Sequence, residues 1–362
     1  GSLFSYKTIT VVASIAMKQK HVGIAMSGGV DSTATALKLK DTYRLSGFFM
    51  DLGQPEFALQ VEKLKRLTGQ IGIDLHIIDL KETFRKIVLN YFSSSYYAGR
   101  TPNPCMICNR EIKFGLFMEA IFATGVDLVA TGHYARVERD GPEMKLLKGK
   151  DENKDQSYFL SRLTPRQLKH VLFPLGSMHK ENTYLYIESK GFTDFRGSES
   201  QDICFLAGTS VISYLEEYYP HYVSPGPIMT PDGEEIGRHS GLHRYTIGQR
   251  RGLGLPDQSP WYVVQIDSKN NRLVVGKHDD LLSRTITACS AQWLTTSPPR
   301  SGEKYSVRIR YSHRGAEAVV QTITSDTFSL KFTTAQRAIA PGQFAVLYDE
   351  DRVIGSGEIV SH

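Results

Sequence analysis

Two short stretches of this 362-residue chain hold residue types that could do chemistry. Asn103-Pro104-Cys105-Met106-Ile107-Cys108-Asn109 sets two thiols three positions apart, and a third thiol, Cys204, follows far downstream in Ser-Gln-Asp-Ile-Cys. A C-x-x-C pair can serve a disulfide, a zinc site, an iron–sulfur cluster, or sulfur transfer to a substrate. Zinc is the weaker option, because a structural site usually takes four ligands and no fourth is in view. The remaining cysteine, Cys289 in Thr-Ala-Cys-Ser-Ala-Gln-Trp, reads as a small buried hydrophobe. Four cysteines in so long a chain do not make a disulfide framework. They suit a reducing compartment, so a cytoplasmic protein is expected.

The second stretch is Ser27-Gly28-Gly29-Val30-Asp31-Ser32. It follows the apolar run His21–Met26 and precedes a helical pattern over 32–40. A strand, a tight glycine turn and a helix N-terminus form an anion site, because backbone N–H groups and the helix dipole both favour negative charge there. The loop is neither a Walker A sequence nor a G-x-G-x-x-G fingerprint. The plain alternative is that Asp31 or Ser32 merely caps the helix.

Strands and helices must position these groups. Apolar runs at 45–50, 73–80 and 126–132 alternate with helical patterns at 55–69 and 82–92. Such alternation predicts an α/β domain on a parallel sheet. After about residue 205, Gly, Pro and short alternating runs predict all-β structure. The expected division is a leader segment 1–16, a catalytic domain 17–205, a small central β-rich domain 206–280, and a C-terminal β-barrel 281–362 of five or six strands. In Tyr-Ser-Val-Arg-Ile-Arg-Tyr, Arg308 and Arg310 would share one strand face beside Tyr311, which would suit nucleic-acid phosphates. The net charge of +5 permits such a partner without demonstrating one. No apolar run is long enough to cross a bilayer, so no membrane partner is expected.

SGGVDS resembles the PP-loop of the N-type ATP pyrophosphatases, which adenylate a carbonyl oxygen and release pyrophosphate. Further stretches narrow the resemblance: GRTPNPCMICNREIKF (99–114), ATGHYAR (130–136), KDQSYFL (154–160), SQDICFL (200–206), GLHRYTIGQRRGLG (241–254) and APGQFAVLY (340–348). Together, from about residue 20 to the C-terminus, they resemble the tRNA-specific 2-thiouridylases, which thiolate the wobble uridine of certain tRNAs. The resemblance implies ATP and Mg²⁺, with ATP held by Ala25, Met26, Ser27, Gly28, Gly29, Val30, Asp31 and Ser32, and by Met50 and Gly132. It implies tRNA contacts at Asn103, Pro104, Cys105, His133, Lys154, Asp155, Gln156, Arg310, Tyr311 and Gln343. It also implies that Cys204 receives persulfide sulfur with Cys108 as its partner. The donor would be a cysteine desulfurase, a sulfur-relay protein or inorganic sulfide. Both thiols would need lowered pKa values in a polar, partly exposed site.

The chain departs from the family at one telling place: many members have Asp where Cys105 stands. Cys105, Cys108 and Cys204 then resemble the three-thiolate set that holds a [4Fe–4S] cluster in related RNA thiolases, with one iron open to sulfide. This cluster is the preferred expectation, with the persulfide relay next to it. Two more departures are Asp51–Phe57, after the second strand, and the segment 180–199. Two rival functions are weighed. One is a PP-loop synthetase adenylating a small metabolite, which would have no use for the cysteines. The other is a non-catalytic RNA-binding protein with a relic nucleotide loop, although the loop here is complete.

Overall fold

The computed structural model describes residues 19–196, 203–206, 208–220, 223–255 and 259–361. The first unit is built on strands β1 (His21–Ala25), β2 (Arg44–Asp51), β3 (Leu75–Asp79), β4 (Leu128–Ala130), the hairpin β5 (Ala135–Asp140) and β6 (Glu143–Lys148), and the short β7 (Val171–Leu172). Its sheet runs β3-β2-β1-β4-β7, every pair parallel. Val22 and Ile24 of β1 and Val129 of β4 are buried, as strands covered on both faces require. Helices α1 (Val30–Leu39) and α2 (Phe57–Ile71) pack their apolar stripes into one core.

The strand order makes a crevice. The chain steps outward from β1 to β2 and β3, then returns to place β4 on the other side of β1. Open parallel sheets bind ligands at such a reversal, beyond the carboxyl ends of the strands. The glycine loop leaves β1 there and Thr131-Gly132-His133 leaves β4 there.

Two further helical runs carry the cysteine side of the molecule. One spans 81–97 as Lys81–Phe84, Arg85–Leu89 and Asn90–Tyr97, the middle piece wound as a wider π-turn. The other spans 104–122 as Pro104–Ile107, Cys108–Leu116 and Phe117–Phe122, again with a π-wound centre. Asn103 caps it, its side chain accepting the Met106 N–H, and Pro104 takes the first position, where a missing N–H costs nothing.

Beyond residue 208 the chain is not purely β. Helix Val211–Tyr218, capped by Ser210, precedes the sheet strands, which corrects the all-β expectation. Strands β8 (Gly226–Met229), β9 (Glu235–His239), β10 (Tyr262–Asp267) and β11 (Arg272–Gly276) form a sheet in the order β10-β11-β8-β9. The last unit comprises β12 (Leu282–Trp293), β13 (Lys304–Arg308), β14 (Ala316–Ile323), β15 (Phe328–Arg337), β16 (Phe344–Asp349) and β17 (Arg352–Ser361). These six antiparallel strands close into a barrel through the β12–β17 pairing, around Ile286, Val307, Val320, Leu330, Phe332 and Leu347.

Barrel and first unit are not separate bodies. The β5–β6 hairpin joins the barrel sheet at Arg352 opposite Leu147. Phe344, Val346, Tyr348 and Val353 share a core with Phe114, Phe117, Leu146 and Tyr158. Among the described residues, no helix is long and apolar enough to cross a membrane.

Candidate active site

The glycine loop is shaped by its own hydroxyls. Ser32 Oγ receives the Ser27 N–H at 3.2 Å and donates to the Gly29 carbonyl at 3.1 Å. Gly28 sits at φ +78°, in the left-handed region that favours glycine. Gly29 is the cap position of α1, and no side chain caps it. The plain capping alternative therefore fails, and the start of α1 is open to an anion. Ala25 ends β1, Met26 is buried beneath the loop, and Met50 stands at the end of β2 with its carbonyl accepting from Gln54.

Gly132 meets this loop directly. A Cβ built on it would lie 2.7 Å from Asp31 Cβ and 2.8 Å from the Asp31 carbonyl carbon. Backbone cannot yield as a flexible side-chain tip does. Gly132→Ala is expected to push the loop out of place at about 1–3 kcal/mol. An ATP titration of the variant should show the affinity falling by about tenfold or more, with a small change in melting temperature.

The next residue looks the other way. His133 lines a cavity of about 280 Å³ together with Cys105, Cys108, Cys204, Lys113, Gln156 and Phe159. The three cysteines expected to cooperate are thus brought to one cavity, across 96 residues of sequence. Cys105 and Cys108 are half-buried and Cys204 is exposed. Phe205 fixes the neighbouring backbone, its ring 5.1 Å from Phe92 and 5.4 Å from Tyr214.

The electrostatics contradict the expected low thiol pKa values. Burial pushes Cys105 up to about 11, with Cys204 adding to the rise. Burial pushes Cys108 up to about 12, and desolvation of its thiol raises Cys204 as well. The opposing influence on all three is the ammonium of Lys113. Lys113 Nζ also stands 3.5 Å from His133 Nε2, while His133 Nδ1 is 2.7 Å from Thr131 Oγ1. An ammonium has no acceptor, so Nε2 carries the lone pair and Nδ1 the hydrogen.

Burial, then Lys113, holds the His133 pKa well below 6.5. Folding favours its neutral form, so this contribution to stability is complete above about pH 6.5 and is lost as pH falls below it. His133→Gln should flatten the acid limb of melting temperature against pH, measured from about pH 7 to about pH 5.

Sequence reasoning missed Lys113. It lies five residues after Cys108, which an α-helix would place on a different face. The π-wound turn over Cys108–Leu116 repeats nearer five residues and brings it round.

The residues expected to touch tRNA separate into three groups. Pro104, Cys105, His133 and Gln156 line the cavity, with the Gln156 side chain accepting the Tyr134 N–H at 2.9 Å. Asn103 and Gln343 support it: Asn103 is the helix cap, and Gln343 Nε2 donates to the Thr101 and Pro102 carbonyls. Tyr311 stacks on Phe159, ring centres 4.4 Å apart, and stays exposed beside the cavity wall. Lys154 and Arg310 are half-buried, and Arg310 Nη1 donates to the Arg337 carbonyl at 3.4 Å.

Asp155 departs from expectation. It is 4% exposed, and its carboxylate takes the Gly149 and Ser157 N–H groups, the Ser157 hydroxyl, and Arg308 Nη1 at 2.9 Å. The basic strand face fails with it. Strand β13 ends at Arg308, whose guanidinium turns inward to Asp155, while Arg310 and Tyr311 lie beyond the strand.

The metal expectation meets a mixed result. Three thiols around one cavity are the right donor type for an iron–sulfur cluster. Among the described residues, however, no three His, Cys, Asp or Glu side chains are gathered closely enough to hold a metal ion. The donors fit in kind and not in placement.

Comparison with known proteins gives a consistent answer. The tRNA methyl transferase HUP domain profile matches residues 20–208, the tRNA methyl transferase PRC-barrel domain residues 212–277, and the Aminomethyltransferase beta-barrel domain residues 283–359. A protein of Desulfotalea psychrophila is 48% identical over 344 residues, covering 95% of this chain and all of its own length. Relatives from Syntrophotalea carbinolica and Halothermothrix orenii are 40% and 38% identical, covering 94% of this chain and 99% and 98% of theirs. All three carry the name tRNA-specific 2-thiouridylase MnmA. With an open anion site and a three-thiol cavity joined by one short turn, and near-full-length identity of this order, the chain belongs to the tRNA-specific 2-thiouridylase family.

Proposed function

We propose that this chain is an ATP-dependent tRNA-uridine 2-sulfurtransferase acting on a wobble uridine. The observation that carries the reading is the turn after β4. Gly132 presses on the glycine loop while His133, its neighbour, lines the thiol cavity. A nucleotide on the loop and a base in the cavity would meet across this turn.

The chemistry follows from what each place can offer. Uridine O2 is a poor leaving group. Attack of O2 on the α-phosphate of ATP, with loss of the N3 proton, expels pyrophosphate and makes AMP the leaving group. Mg²⁺ would travel with the phosphates and neutralise them. Cys204, exposed at the rim, suits the receipt of persulfide sulfur from a donor protein. Its terminal sulfur attacks C2, AMP departs, and a disulfide links base to enzyme. Cys108 attacks that disulfide at the Cys204 sulfur. The base leaves as 2-thiouridine and regains its N3 proton, and a Cys108–Cys204 disulfide remains for an external thiol to reduce. Lys113 favours whichever thiol is ionised at each step. The relay draws on the exposed Cys204 and on Cys108 lining the same cavity, and no step is routed through iron.

The test is reconstitution with an unmodified tRNA transcript, ATP and a persulfide donor, using anaerobically purified protein assayed for iron. AMP, pyrophosphate and 2-thiouridine appearing together from iron-free protein would uphold the reading. A small metabolite supporting ATP cleavage without tRNA would overturn it.

A further inference from the structure

The helix that begins at residue 180 reaches into the nucleotide loop through its first side chain. Lys180 opens the helix Lys180–Ser189, and its own N–H donates to Asp151 Oδ2 at 2.9 Å. Its Nζ donates to both carboxylate oxygens of Asp31, each at 2.8 Å. The side chain is 11% exposed and runs over the rings of Tyr134 and Tyr184. Tyr134 Oη lies 2.9 Å from Asp31 Oδ1 and 2.9 Å from Thr183 Oγ1, so a residue of the same helix holds this hydroxyl too. Gly132 closes the remaining side of Asp31.

Asp31 needs this restraint. It sits in the first turn of α1, where a carboxylate is drawn to the exposed N–H groups by hydrogen bonding and by the helix dipole. A carboxylate on those donors would occupy the place of a phosphate and repel it. Yet among the described residues no hydrogen bond joins Asp31 to a first-turn amide, and α1 has no side-chain cap. Both oxygens are held by the ammonium, which also cancels the charge.

We propose that Lys180 is a positioning residue of the nucleotide site: it holds and neutralises Asp31 so that the start of α1 stays open for the triphosphate. This rests on the reading of the loop as the ATP site. Removing the lysine leaves a half-buried carboxylate beside the phosphates, a loss that weakens anion binding by about tenfold or more.

The experiment is a double-mutant cycle on the binding of α,β-methylene-ATP, which resists cleavage at the bond in question. Lys180→Met should weaken binding by about tenfold or more in the parent chain and change it by less than about twofold in an Asp31→Ala background. Lys180→Arg should retain most of the affinity, because it keeps the charge on Asp31. The Asp31→Ala/Lys180→Met chain carries no unpaired charge and remains measurable should Lys180→Met alone fold poorly. An equal loss from Lys180→Met in both backgrounds would overturn the proposal, since the lysine would then act independently of Asp31. Tight binding by Lys180→Met would overturn it alone, whereas a parent chain that binds no analogue would overturn the ATP reading and this inference together.

Discussion

Serine at position 108 or 204 is expected to lower 2-thiouridine formation by about a thousandfold or more, while ATP is still cleaved in single turnover to about one pyrophosphate per bound tRNA. A hydroxyl cannot carry a persulfide or open a disulfide, so the sulfur half of the reaction stops. In the proposed reaction adenylation uses the loop at α1 and leaves these thiols untouched. Cys105→Ser is the informative control. It should keep activity within about tenfold of the parent, because the relay needs only the exposed acceptor Cys204 and one resolving thiol. A loss at position 105 as deep as at 108 and 204, with iron in the protein, would show that the three thiols act as one ligand set and would sink the relay. Quench-flow separation of pyrophosphate release from thiolated tRNA measures both halves. The thiols are raised by burial, so alkylation of the free protein should quicken about tenfold per pH unit until it nears their pKa values, near 11 and 12 for Cys105 and Cys108.

Much of this site was legible before the fold was known, for a physical reason. The glycine loop and the C-x-x-C motif are local: six or seven consecutive residues state their own geometry. The parallel sheet was equally readable, because Val22, Ile24 and Phe48 sit in apolar runs that only a strand covered on both faces can bury. What stayed hidden depends on partners distant in sequence or on an unusual helical period. Lys180 finds Asp31 across 149 positions, and no spacing rule links them. Lys113 faces Cys108 only because the helix widens there. Asp155 in Lys-Asp-Gln carries the expectation of a tRNA contact, and nothing in that run shows that Arg308, 153 positions on, takes its charge. The thiol pKa values were misjudged because reactivity demanded a polar site, whereas the apolar walls of Phe84, Val88, Ile203 and Phe205 dominate the cavity.

The Asp155–Arg308 pair yields the largest expected effect on stability. Its two side chains are 5% and 13% exposed, and it ties the turn after β6 to the end of β13. Arg308→Met would strand a buried carboxylate whose remaining partners are two amides and one hydroxyl. Breaking one side of such a pair costs about 3–5 kcal/mol, more than a rim contact to nucleic acid would contribute. Arg308 also donates to the Tyr311 carbonyl, so the ring stacked on Phe159 at the cavity wall would loosen with it. The expected result is a lower denaturant midpoint and weaker tRNA binding together. Asp155→Asn/Arg308→Met removes both charges and should recover much of the midpoint. If Asp155 were instead a direct tRNA contact, Asp155→Asn would weaken tRNA binding at an unchanged midpoint. Urea titration beside tRNA filter binding separates the two. A strut between barrel and catalytic unit moves both readouts under the proposed reading, in which the barrel presents tRNA to the thiols and does so only while it is held in place.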